Sequence, residues 1–190
     1  KEMRPMPVKT SRNTSTLRKP PPSKRQKLVY SEHWDLSHLA KDPVQHFEAL
    51  LGEIESKVAQ FESARAQLSP AMATSIFHPL LTLSEDIAAA SSKIGAYAYL
   101  WFSENTKDLA ARSFKTKVEE RLTSLQNRLV FFDLWWQSVD ESNARRLMAG
   151  TGTLRYHLET IRRFKPHTLS EPEEKIVNIK NITGRSAVHS

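Results

Sequence analysis

The chain has 190 residues, with 28 lysines and arginines against 21 aspartates and glutamates, ten prolines and no cysteine. That length suits one domain with a sizeable core. The missing cysteine excludes disulfides, thiolate zinc sites and a cysteine nucleophile. No run of about 18 apolar residues occurs, so no bilayer-spanning helix and no membrane partner are expected.

The net charge of +7 is concentrated at one end. Residues 1–30 hold nine cationic side chains and one acid, Glu2, a net +8, which leaves −1 for everything after them. The same segment contains Pro5, Pro7, Pro20, Pro21 and Pro22 and very few apolar residues. It cannot bury enough surface to offset about 1–2 kcal/mol of backbone ordering per residue, so it reads as a disordered basic tail. Its composition also suits an organelle transit peptide, although the prolines interrupt an amphipathic helix. Lys24-Arg25-Gln26-Lys27 fits a nuclear-import or phosphate-contacting patch as well. The expected location is the cytoplasm, or an organelle if the tail is a transit peptide.

The remainder, 31–190, predicts an all-α fold: an antiparallel bundle of five to six helices. Asp42 followed by Pro43 marks a first helix, with the aspartate as N-cap. Val44, Phe47, Leu51, Ile54, Val58, Phe61 and Leu68 follow at helical spacing. Ser69-Pro70 predicts the start of a second segment, with Ile76, Leu80, Leu83, Ile87, Ile94, Tyr97 and Trp101 on one face and Pro79 as a kink or break. Asn105 or Thr106 is the expected cap of a third helix. Its stripe runs through Phe114, Val118, Leu122, Leu125, Leu129, Phe132, Trp136 and Val139, about seven turns. Ser142 opens a short segment before Gly150-Thr151-Gly152, which reads as a helix C-cap and turn. Leu154, Leu158 and Ile161 define a further helix that must stop before Pro166. Ser170 and Glu173 then form a capping box for the last one.

Catalytic patterns are missing. The histidines are His33, His38, His46, His78, His157, His167 and His189. No two lie four apart with a glutamate beside the first, as zinc hydrolases require. His157-Leu158-Glu159 is half of a deaminase signature whose zinc needs cysteines. Gly150 and Gly152 lack the lysine and the preceding strand of a phosphate loop. Trp135 and Trp136 cannot both face one seam, since neighbours on a helix differ by about 100°. One of them is therefore expected at a second surface.

Three blocks then point to a family. Trp34-Asp35-Leu36-Ser37-His38-Leu39 resembles the opening of oligoendopeptidase F-like proteins. Ile94-Gly95-Ala96-Tyr97-Ala98-Tyr99-Leu100-Trp101, with Asn105-Thr106-Lys107-Asp108, resembles their tyrosine-containing helix and the turn after it. Residues 156–175, including Arg163-Phe164-Lys165-Pro166-His167-Thr168-Leu169-Ser170-Glu171-Pro172-Glu173-Glu174, are similar to the family's junction segment. The blocks stand in family order across about 34–185.

The resemblance implies a zinc metalloendopeptidase of the thimet-oligopeptidase type, cleaving short peptides. In it, zinc would polarise water and the scissile carbonyl, and a glutamate would move the proton. The His-Glu-x-x-His helix that does this is absent from these 190 residues. No catalytic or metal-binding residue is therefore carried over, and this chain alone is expected to bind no zinc and cleave nothing. By resemblance it supplies the N-terminal helical wall of a substrate channel, with Tyr97, Trp101 and Trp135 as the channel residues. The implied partners are short oligopeptides and a C-terminal catalytic domain, with nucleic acid unlikely. The rival reading is a non-enzymatic helical adaptor. Its 114–139 stripe would form a dimeric coiled coil, and its basic tail would engage nucleic acid or an acidic partner.

Overall fold

The computed structural model describes residues 34–39 and 41–184; the basic segment 1–30 and its predicted disorder lie outside them. Among the described residues six α-helices follow one another: α1 (Pro43–Ser63), α2 (Thr74–Glu104), α3 (Leu109–Ser138), α4 (Glu141–Met148), α5 (Leu154–Arg163) and α6 (Glu171–Thr183). Short 3₁₀ turns occupy Ala64–Gln67 and Lys165–His167, and no strand occurs among the described residues. The all-α fold expected from the 3.6-residue period is the observed one. No described helix is long and apolar enough to cross a membrane.

The three long helices run up, down and up. Lys117, Arg121 and Arg128 of α3 pair with Glu48, Glu55 and Glu62 of α1 in ascending order, so these two helices are parallel. α2 returns between them: Phe77 near its start stacks on Trp136 near the end of α3, and Trp101 near its end meets Phe114. α6 runs against α3, with Thr168 bonded to Gln137 and Asn178 to Asn127.

The predicted stripes supply the core. Phe47, Leu51, Ile54, Val58 and Phe61 of α1 are buried, as are Phe114, Val118, Leu125, Phe132, Trp136 and Val139 along and just after α3. Each such side chain contributes about 1.5–3 kcal/mol on leaving water. Most of the α3 stripe is consumed inside the chain, while Leu122 and Leu129 are only partly buried. Val44 and Ile76, at the outer turns of their stripes, are exposed instead.

Several helix boundaries differ from the sequence expectation, each for a local reason. α1 begins at Pro43, but Asp42 is left-handed (φ 44°, ψ 51°) and its side chain caps nothing. Its carbonyl receives Gln45 N, His46 N and the His46 ring instead. Ser69-Pro70 forms a turn closed by Met72 N to Ser69 O, and α2 starts only at Thr74. Pro79 does not break α2, which runs through it to Glu104. The carbonyl that proline cannot serve is that of Ser75, an exposed residue within reach of water. Asp108, not Asn105 or Thr106, caps α3 by accepting from Ala110 N and Ala111 N. Asp140, not Ser142, caps α4 through Ser142 N and Asn143 N. In both cases a carboxylate outcompetes a neighbouring amide or hydroxyl at the positive helix end.

Other boundaries fall where expected. Gly150 (φ 84°) and Gly152 (φ 57°) make the turn after α4, with the left-handed backbone that glycine tolerates. The α6 capping box is present: Glu173 accepts from both Ser170 N and Ser170 Oγ, at 2.9 and 2.6 Å.

Candidate functional site: a groove along the third helix

Between α2 on one side and α5 and α6 on the other, α3 floors an open groove of about 910 Å³. The α2 wall is built from Leu81 and Ile87 together with small residues, Ser84, Ala88 and Ser91 about one turn apart and Ser92 beside the last. Leu125, Leu129 and Ile161 form an apolar bed. Asp133, His157, His167 and Glu174 are the ionisable groups on its lining.

Two devices hold the far wall. Arg162 at the end of α5 donates to the carbonyls of Trp136 (2.9 Å) and Val139 (2.7 Å), lies over the Trp136 ring, and pairs with Glu141. Trp136 answers by donating its indole N–H to Leu158 O at 2.9 Å. On α6, the capping box fixes the entering chain, and Glu174 Oε1 accepts from Leu169 N. These bonds aim His157 and Glu174 toward the floor.

Asp133 is an exposed residue with the groove walls crowded around it. That desolvation raises its pKa above the usual carboxylate range; nearby Glu174 raises it further, and His157 opposes the shift. It forms no hydrogen bond or ion pair among the described residues, whereas Glu62, Glu171 and Glu48 are held low chiefly by hydrogen bonds from Arg128, Lys175 and Lys117. Among the described residues no three histidine, aspartate or glutamate side chains come together to hold a metal ion. The residues present do not fit zinc, and no metal step is assigned to them.

None of the three channel residues expected from the sequence lines this groove. Tyr97 and Trp101 share an aromatic cluster with Phe114, at centroid separations of 6.2, 6.2 and 5.7 Å. Trp135 lies 21 residues further along α3 than Phe114, roughly 30 Å away. It packs beside Phe77 and Trp136 while Trp136 is fully buried. Its other edge lines a shallow hollow with Arg65, Phe131 and Glu171, and its indole N–H finds no acceptor among the described residues.

The groove residues were not legible as a set. Asp133, His157 and Glu174 come from three helices, and each alone resembles the polar face of an amphipathic segment. The one usable signal was the junction block 156–175, which carries two of them.

The family model for oligopeptidase F matches residues 135–188, from the last turn of α3 through α6. No curated protein and no solved structure gives a match.

Proposed function

We propose, from the oligopeptidase F family-model match over residues 135–188, that this chain carries the N-terminal helical region of such a protein and forms one wall of the substrate channel of a zinc-dependent oligoendopeptidase. The family match is the observation that carries this reading. The wall's work is geometric. A rigid three-helix frame with a recessed face admits short or extended peptides and excludes folded domains, so selection rests on size before any bond is cut. Zinc chemistry, when the metal is bound, supplies the activated water. Its ligands are assigned to a catalytic domain outside these residues, working in the cytoplasm.

The outer face of α6 supports a partner domain. Its inward side is polar, built on Glu171, Glu174 and Asn178, while Ile176, Val177 and Ile179 point to solvent. Apolar residues gathered on an exposed helix face mark a contact surface. We assign that face to the catalytic domain.

The coding sequence beyond Ser190 tests the proposal. An in-frame His-Glu-x-x-His motif within a few hundred codons supports it, and a stop codon close to Ser190 refutes it. In the longer polypeptide, an internally quenched peptide should be cut and a chelator should stop the cutting. Loss of that turnover on replacing Ile176 and Ile179 by lysine would tie the α6 face to the assembled enzyme.

A further inference from the structure

The groove contains a carboxylate, Asp133, that forms no hydrogen bond or ion pair among the described residues, although His157 lies close enough to act on its charge. The cations of α3 nearest to it in sequence are committed elsewhere. Arg128 is five residues before Asp133, about 140° around the helix, and bonds Glu62 of α1 through Nε and Nη2. Arg121 is likewise turned to Glu55. The charged or titratable groups facing Asp133 are His157 from α5, His167 from the turn after it and Glu174 from α6. The α2 wall contributes serines, an alanine, Leu81 and Ile87, and no charge.

Such a site favours a cation with an apolar stem. A lysine or arginine side chain laid along Leu129 and Ile161 buries its methylenes while its head reaches the carboxylate. Glu174 adds a second negative group at the same end of the groove. The volume falls within the range of cavities that bury a ligand of several hundred daltons, enough for a few peptide residues. A free metal ion fits poorly, since among the described residues no three of the side chains Asp133, His157, His167 and Glu174 converge as ligands.

We propose that the groove between α2 and α5–α6 binds a short peptide segment and that Asp133 receives a lysine or arginine side chain of that peptide. The proposal deepens the channel-wall reading and rests on it for the identification of the ligand as a peptide. Asp133 here is a specificity residue and takes no part in bond cleavage.

Fluorescence anisotropy on the 190-residue chain tests it with two capped, fluorescein-labelled octapeptides that differ only in a central lysine or glutamine. The lysine peptide should bind about tenfold more tightly, the scale of one charge-assisted hydrogen bond. Asp133→Asn should bring it down to the level of the glutamine peptide and leave the latter unchanged. Ser92→Trp, an exposed position on the α2 wall, should fill the groove and weaken both, with melting curves confirming that each variant is folded.

Equal binding of the two peptides, or an Asp133→Asn variant that keeps the preference, overturns the assignment of Asp133. So does the absence of any binding. None of these results touches the family-level reading, which the downstream coding sequence decides. A concentration-dependent dimer abolished by Ser92→Trp would make the groove an interface between copies and overturn the peptide assignment.

Discussion

Replacing Arg162 by methionine isolates the clamp that joins α5 to the end of α3. The last four carbonyls of a helix have no intrahelical partner, and Arg162 satisfies Trp136 O at 2.9 Å and, just beyond the helix, Val139 O at 2.7 Å. Its side chain is only 15% exposed, so these bonds are little screened. Hydrogen bonds from a charged donor contribute about 1.5–3 kcal/mol each, and the contact over the Trp136 ring adds about 0.5–1 kcal/mol. The pair with the exposed Glu141 adds little. Methionine keeps the stem but none of these bonds, and ordering a long side chain has an entropic cost in either variant. The expected loss is about 3 kcal/mol. With a urea slope of about 2 kcal/mol/M for a domain of this size, the unfolding midpoint followed by tryptophan fluorescence should fall by about 1.5 M. Arg162→Lys, which reaches fewer acceptors at once, should recover roughly half. Arg163→Met is the control: Arg163 is exposed and lies over Tyr156, itself at the surface, so its change should stay within about 0.5 kcal/mol. An Arg162→Met midpoint within about 0.3 M of the parent would show that water satisfies those carbonyls and that no clamp exists.

Asp133→Asn should stabilise the chain at neutral pH. A carboxyl whose folded pKa is raised costs the folded state stability as pH climbs through that value, and asparagine removes the cost. The gain should vanish well below the usual carboxylate range, at about pH 3; a thermal-melt series across pH reads both ends, and a gain at low pH would reverse the sign argument. Gly150→Ala should cost about 1–2 kcal/mol, because φ is 84° and the new Cβ lies 3.4 Å from His78 Cε1. Gly152→Ala has the same backbone problem with open space around it and should cost about 1 kcal/mol; urea titration would expose a reversed order. Ile176→Lys with Ile179→Lys should change stability by no more than about 0.5 kcal/mol per site, since both side chains already face solvent. A larger loss on denaturation would mean that the outer face of α6 is packed within this chain.

The periodic parts of the fold were readable because burial and spacing report the same thing. Five successive apolar positions of α1, from Phe47 to Phe61, and most of the α3 stripe are core residues. Caps were less legible. Asn105, Thr106 and Asp108 all stand within one turn, as do Asp140 and Ser142, and the choice depends on which oxygen reaches two backbone N–H groups. Side chains that join helices were invisible. Arg162 reads as one of several arginines on a polar face, and nothing in its neighbours says that its target is a carbonyl 23 residues earlier. Asp133 and Glu174 meet only because α6 runs back along α3, an orientation that no single-helix pattern encodes.

The inverted face of α6 has a consequence for how the molecule opens. Arg65 to Glu171 and Asn178 to Asn127 are among the contacts that join α6 to the rest, and none of its described side chains is among the buried apolar ones. Exposed ion pairs contribute little and weaken in salt. α6 is therefore the element that detaches first: its amides should exchange with solvent through a local opening while the three long helices stay closed. Raising the ionic strength should speed that exchange in α6 alone. Whatever covers Ile176 and Ile179 would slow it, so the exchange rate of this one helix reports whether the chain has found its partner.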